Sequence, residues 1–527
     1  MNAIVGYTGF VGSNLLQFYN FDYLYNSKNF YEAKNKEFNN IFFCGIPAVK
    51  WYANKNPIED NNIIENIKKI LDNIKVKKII LISTIDVYDK IDKQYNEDYE
   101  IHYDKNHIYG KNRFLFEEYI KSTFINYNII RLPGLFGKGL KKNIIYDLIN
   151  NNKVNNIPLN SSFQWYYLDW LKKDIDIILK NDIKICNLFT EPIHTKEIIK
   201  AFNEIYNIDY LFQLEYLGDE KLLLEYNTCT KYNNYFDCNK KYIIEADKII
   251  KAIKEYLIFE KINKSKLCVS NICVNKVSQL QFASILKLYG IRNVQIAPTK
   301  LIESWDKIET LDLSIYKNLG LNVYSFQSIT YTLNNLNIFD KTTREDLYKH
   351  LIKIIDCAEK NSIKVIVFGC PINRQVIDKN LNNEETFIKF FKKIGNYLKN
   401  KNVKICIENN SKKYKCNFIN TIEECSNIVR KINNKNIKMM IDLGNAVMEN
   451  DNWYYLKQYM DIIYNIDVAH PYMRDYSEIH ESNEIFNFVI KNNNYDKMVN
   501  LEMLIKDENN ELELLCKSLT NFIYLYS

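Results

Sequence analysis

Short apolar runs alternate with helix-length amphipathic segments along the whole chain, and the pattern changes register once, near Asn263. In the first part the runs are Ala3 to Gly6, Tyr23-Leu24-Tyr25, Ile41-Phe42-Phe43-Cys44 and Ile79-Ile80-Leu81-Ile82, separated by patterns such as NNIIENIKKILDNI. That alternation predicts a parallel, doubly wound α/β sheet. From Lys266 onward eight strand-like runs follow, near Leu267-Cys268-Val269, Val294-Gln295-Ile296, Val323 to Phe326, Val365 to Phe368, Lys404 to Ile407, Met439-Met440-Ile441, Ile466-Asp467-Val468 and Val499-Asn500-Leu501. Each precedes a segment with apolar residues at three- and four-residue spacing, as in VSQLQFASILKLYG and EETFIKFFKKIGNYLKN. Eight such units predict a (β/α)8 barrel. The chain, 527 residues long, exceeds what one core serves, so two domains are expected, 1–262 and 266–527.

Composition narrows the partners. The net charge of +6 is spread over 70 basic and 64 acidic side chains, so no concentrated field for a phosphate backbone exists and nucleic acid is not expected as a partner. The 12 cysteines are scattered without a CxxC pair, which suits free thiols in a reducing, cytoplasmic setting. A strand that begins at Ala3 leaves no room for a signal peptide, and no apolar run reaches the roughly 18 to 20 residues of a membrane span. A small molecule is the expected partner, and a homo-oligomer stays open.

The first strand runs into GYTGFVGSNLLQF, where Gly6, Gly9 and Gly12 stand three apart. A turn of this kind between strand and helix lets the backbone approach a pyrophosphate at the helix N-terminus. Later come Ser83-Thr84-Ile85-Asp86-Val87-Tyr88, a helix opening with Tyr109-Gly110-Lys111-Asn112-Arg113, IIRLPGLFGKGLKKN (129–143) and TEPIHTKEI (190–198). With these motifs, roughly residues 1–225 resemble the NAD(P)-dependent epimerase/dehydratase family of extended short-chain dehydrogenases. The resemblance implies an NAD or NADP site at Gly6, Gly9 and Gly12. It also implies that Thr84 and Tyr109 meet a substrate oxygen. Arg113 occupies the position where that family carries a lysine that lowers the tyrosine pKa, and a planar guanidinium does not replace a compact ammonium. Asn26 stands where an acidic residue would hold the ribose of NAD, which leaves both NADP and a weakened site open.

In a (β/α)8 barrel the chemistry lies at the C-terminal ends of the strands. There the later strands carry Glu408, Asp442, His470 and Glu502, each about one β/α unit after the last. Three carboxylates and an imidazole on one rim suit a single Mn²⁺, Mg²⁺ or Co²⁺ with positions left for substrate oxygens. The segments ICIENN, MMIDLGN, IDVAHPYMRDY and NLEML resemble the sugar isomerase/epimerase group of xylose isomerase-like barrels. That resemblance implies that Glu408 and Glu502 exchange a proton with a metal-held sugar, sugar phosphate or nucleotide-sugar. Asn445 and Gln295 stand where many relatives carry histidine and glutamate. The endonucleases that share this fold need a histidine-rich zinc rim, and the barrel has only His350, His470 and His480. Two readings remain: a fused enzyme with both halves active, or a catalytic barrel whose N-terminal partner only binds a nucleotide or another molecule.

Overall fold

A computed structural model describes residues 1–211, 214, 223–236, 238 and 240–527. The last stretch of the epimerase/dehydratase resemblance, and Asp237 and Asn239 of NTCTKYNNYFDCNKKY, fall partly outside the described residues. The chain divides into two compact units, Met1–Lys261 and Ile262–Ser527.

The first unit is built on strands β1 (Asn2–Val5), β2 (Tyr23–Tyr25), β3 (Glu37–Phe43), β4 (Lys75–Thr84), β5 (Tyr127–Leu132) and β8 (Ile185–Asn187). They form one all-parallel sheet in the order β2-β1-β3-β4-β5-β8. The order reverses at β1, which pairs with β2 on one side and β3 on the other. In open α/β sheets such a reversal opens the crevice where ligands bind. A smaller sheet holds β6 (Gly134–Phe136), β7 (Ser162–Tyr167) and β9 (Pro192–His194).

Two apolar clusters support this unit. Ala3, Val5, Phe43, Ile79, Leu81 and Ile129 alternate along the strands and meet Ile64, Phe116 and Ile120 of the helices Pro57–Leu71 and Ile108–Thr123. That period-2 spacing buries one sheet face against helical stripes. The second cluster packs Trp165 of β7 against the helices Thr195–Tyr206 and Ala246–Lys261.

The second unit is a closed barrel of eight parallel strands: β10 (Leu267–Ser270), β11 (Asn293–Ile296), β12 (Asn322–Phe326), β13 (Val365–Phe368), β14 (Lys404–Glu408), β15 (Ile437–Asp442), β16 (Ile463–Val468) and β17 (Val499–Leu501). Closure is made by β10 on β17, with Val269 opposite Leu501. Val365, Val367, Cys406 and Met440, with Tyr324 and Tyr464, pack into one apolar cluster. Two residues further along β14 and β15, on the same face, come Glu408 and Asp442. Apolar packing thus gives way to carboxylates at the C-terminal ends of the strands.

Candidate active site

Glu408 closes β14 with 8 % of its surface exposed, and two amides fix it: Asn410 Nδ2 donates to its Oε1 at 2.6 Å and Asn445 Nδ2 to the same oxygen at 3.1 Å. Its other oxygen occupies the space a side chain at Gly369 would take, since a Cβ there would stand 2.3 Å from Oε2. Asp442 closes β15, buried, and accepts from the backbone N–H of Asn445 at 2.5 Å. Asn409 clamps the backbone of Asp442 from both sides, donating to its carbonyl and accepting from its N–H. Glu502 follows β17 directly and is partly exposed, so the cluster reaches solvent there.

Electrostatics ties these groups together and adds one that the sequence reading passed over. Burial pushes the Glu408 carboxyl well above the usual range, with the charges of Asp442 and Asp467 raising it further and Arg374 opposing. Glu502 is raised by burial and then by the charges of Asp467, Asp442 and Glu408. Asp442 is lifted by burial to about 6, while the Asn445 N–H and Glu502 pull it down. Asp467, on β16 and 1 % exposed, is pushed by burial and then by Asp442 to about 8. Asn465 Nδ2 donates to Asp467 at 2.7 Å, and Asn500 Nδ2 donates to Gln295 at 2.8 Å beside it. Gln295 therefore belongs to this buried polar layer. The signal for Asp467 was an acid inside the otherwise apolar run Ile463–Val468, spaced two from Asn465.

Burying four carboxylates together is costly unless positive charge compensates. Arg374, buried after β13, acts on Glu408, but its Nε bonds Cys416 Sγ and its Nη2 the Ile419 carbonyl. His470, two residues beyond β16, is buried, and its ring stacks on Tyr476 with centroids 4.4 Å apart. Its Nδ1 lies 3.0 Å from the Asp475 carbonyl, which can only accept, so Nδ1 carries the hydrogen. Nε2 is buried and makes no hydrogen bond. Burial, with Arg474 and His480 nearby, lowers its pKa and keeps the ring neutral. A neutral imidazole with its far nitrogen anchored and its lone pair free is the form that binds metals. As placed, no three His, Cys, Asp or Glu side chains among the described residues stand close enough to hold a metal ion. The structure therefore brings Glu408, Asp442 and Glu502 into one electrostatic cluster, while the charges acting on His470 are those of Arg474 and His480.

In the first unit, Gly6 has φ +90° and a Cβ there would meet the Cys44 carbonyl at 2.5 Å. A Cβ at Gly12 would fall 2.1 Å from the Gly6 oxygen, whereas at Gly9 the only neighbour is that oxygen at 3.2 Å. The helix that follows, Phe10–Leu15, is short and has no side-chain cap. Asn26 ties the end of β2 to the turn, its Nδ2 lying 3.4 Å from the Tyr7 hydroxyl and its Oδ1 accepting from Lys28 N–H.

Thr84 ends β4, and its hydroxyl oxygen accepts from the Asp86 N–H. Asp86 is held by Lys50 at 2.6 Å and faces His107 at 3.7 Å. Tyr109 is buried, and that burial pushes its hydroxyl up to about 12 in spite of the Arg113 guanidinium 4.2 Å over the ring. Arg113 is committed elsewhere: Nη1 and Nη2 bind the two Asp60 oxygens at 2.6 and 3.0 Å, and Nη2 also donates to the Pro47 carbonyl. Lys111 turns away, its ammonium lying 5.8 Å from the Tyr103 ring centroid.

Residues 286–512 match a family described as xylose isomerase-like TIM barrels. No curated protein matches the chain. Among solved structures, a D-psicose 3-epimerase is 14 % identical with a TM-score of 0.40, over 49 % of this chain and 96 % of its own. A 3-keto-D-glucoside 4-epimerase from E. coli is 16 % identical with a TM-score of 0.40, over 49 % of this chain and 100 % of its own. A UDP-N-acetylglucosamine 4-epimerase from Methanobrevibacter ruminantium is 14 % identical with a TM-score of 0.39, over 49 % of this chain and 96 % of its own. Among the described residues, no helix is long and apolar enough to cross a membrane.

Proposed function

We propose that the xylose isomerase-like barrel is a metal-dependent sugar isomerase or epimerase in which Glu408 and Glu502 move the proton. The observation that carries this reading is the gathering of buried Glu408, Asp442 and Asp467 with partly exposed Glu502 at the strand ends, where the Arg374 guanidinium acts on Glu408. By its chemistry the set Glu408, Asp442, Glu502 and the unbonded Nε2 of His470 suits a hard divalent cation, which these side chains would have to draw together to hold. When bound, Mn²⁺, Mg²⁺ or Co²⁺ supplies charge compensation and polarises neighbouring substrate oxygens.

The chain's own residues divide the work. Asn410 and Asn445 hold Glu408 in one orientation, ready to take a proton from a carbon beside a carbonyl. Glu502, partly exposed and within the same group of charges as Asp442, returns a proton on the other side. The test is deuterium incorporation from D₂O into a panel of ketoses, their phosphates and nucleotide-sugars by the Mn²⁺-loaded full chain. Incorporation at the carbon next to the carbonyl supports the reading; none with any substrate overturns it.

For the first unit we propose that the turn from Gly6 to Gly12 takes the pyrophosphate of NAD or NADP, with Asn26 on the ribose side. Support comes from the backbone at Gly9, where a Cβ would meet only the Gly6 carbonyl oxygen, and from the sheet reversal at β1. Arg113, spent on Asp60, and the raised Tyr109 hydroxyl favour the reading in which this unit binds and the barrel alone catalyses. Calorimetric titration with NADH and NADPH tests binding, and loss of nicotinamide absorbance with keto-sugars tests catalysis.

A further inference from the structure

The loop after β14 carries a side chain that neither the sequence motifs nor the ligand set includes. Tyr414 ends the short turn Lys412–Tyr414, and its hydroxyl is buried yet makes no hydrogen bond. Its surroundings are those of the site: the charges acting on it are Asp442, Glu502, Glu408 and the neighbouring Tyr472. A phenol beside three carboxylates would ordinarily donate to one of them. Here each lies beyond hydrogen-bond reach, so a gap separates the donor from the acids.

The loop is held firmly, so the gap is not slack. Ser411 N–H donates to Asn445 Oδ1 at 3.0 Å, and the Ser411 hydroxyl donates to Glu449 at 2.6 Å. The Tyr414 N–H donates to the Ser411 carbonyl at 3.0 Å. Asn445, which fixes Glu408, therefore also fixes the start of the Tyr414 turn. Asn410, whose Nδ2 holds Glu408, leaves its Oδ1 buried and unbonded as well. Buried polar atoms seek a partner, and two of them lie at this one carboxylate cluster, where a molecule from outside the chain could supply it.

We propose that Tyr414 is a ligand-binding residue of the barrel: its hydroxyl donates a hydrogen bond to a hydroxyl or carbonyl oxygen of the polyol held at Glu408, Asp442 and Glu502. This rests on the isomerase/epimerase reading and adds to it a specificity residue. Burial and the three acids keep the phenol protonated, as a donor must be. A neutral donor suits an uncharged sugar oxygen, and removing it leaves the acids and their positions untouched.

The experiment compares the Mn²⁺-loaded full chain with Tyr414→Phe and, as a control on the same turn, Lys413→Ala at an exposed position. Titration calorimetry with Mn²⁺ and then D-fructose, with D₂O exchange in parallel, gives three readouts. Expected are an unchanged Mn²⁺ affinity in all three proteins, a D-fructose affinity weakened about five- to tenfold in Tyr414→Phe alone, and exchange slowed through KM more than kcat. Equal D-fructose affinity in Tyr414→Phe and wild type overturns the proposal while wild-type exchange leaves the isomerase reading standing. Loss of Mn²⁺ from Tyr414→Phe overturns it in favour of a structural or ligating role. A wild type that binds no sugar of the panel and exchanges deuterium into none overturns both. Circular dichroism of Tyr414→Phe checks folding, and Tyr414→His, which restores a donor, recovers part of the affinity if the hydrogen bond is what matters.

Discussion

Asn445 holds Glu408: its Nδ2 donates to Glu408 Oε1 at 3.1 Å while its backbone N–H donates to Asp442 Oδ1 at 2.5 Å. One residue thus sets the spacing of two acids on neighbouring strands. Asn445→Ala removes the first bond and keeps the second, so Glu408 turns more freely. Metal affinity or turnover should fall about 10- to 100-fold, as when partners behind metal ligands are lost. Calorimetry with Mn²⁺ checks this, and unchanged affinity with unchanged turnover would contradict it.

Glu502→Gln keeps size and removes the proton carrier. Deuterium exchange should drop by about two to four orders of magnitude while the circular dichroism spectrum stays the same. Full exchange in this variant would show that Glu502 does not carry the proton.

The buried acids give the metal-free chain a distinctive pH response. Asp467, pushed to about 8, and Asp442, pushed to about 6, keep protons in the folded state where the unfolded chain has released them, near pH 4. Folding then takes up protons, so their contribution to stability falls as pH rises from about 4 towards 8. With EDTA present, the Tm advantage of Asp467→Asn over wild type should grow between pH 6 and pH 8. Mn²⁺ should raise the wild-type Tm more at pH 8 than at pH 6, because binding needs ionised acids. Differential scanning calorimetry decides it; an advantage that shrinks with pH runs against the argument.

In the first unit two glycines should part company. Gly12→Ala places a methyl 2.1 Å from the Gly6 carbonyl and should unfold or badly destabilise the unit. Gly9→Val meets only that oxygen at 3.2 Å and should fold, yet it should lose NADPH binding. Equal NADPH affinity in Gly9→Val and wild type would remove the turn from the cofactor site.

Arg113→Ala strips the partner from buried Asp60 and should cost about 3–5 kcal/mol in the unfolding of the first unit. No nicotinamide-dependent activity should be lost with it. Denaturant titration followed by circular dichroism measures the cost, and a neutral effect would refute the structural role.

The alternation of apolar runs made the barrel legible, because each strand must be apolar where it packs and each helix must carry a stripe. Strand ends followed from the same count, and so did Glu408, Asp442 and Glu502. Asp467 escaped it because its one mark, an acid two residues after Asn465 within a strand, does not tell what it will face until closure places it beside Asp442. Tyr414 escaped because loop paths are not periodic. The reversal at β1 was equally hidden: apolar runs do not say on which side of β1 the strand Glu37–Phe43 pairs. The destination of Arg113 needed Asp60, which lies on another helix.

All four acids of the cluster come from β14 to β17 or the residue just after β17, and β10 to β13 contribute none. The acids therefore belong to one contiguous stretch of chain, and the other half answers them with Gln295, Gly369 and Arg374. Under the proposed function, selection could retune which molecule is admitted by rewriting the loops that leave those answering groups in place, so descendants of this barrel could change diet without reinventing their chemistry.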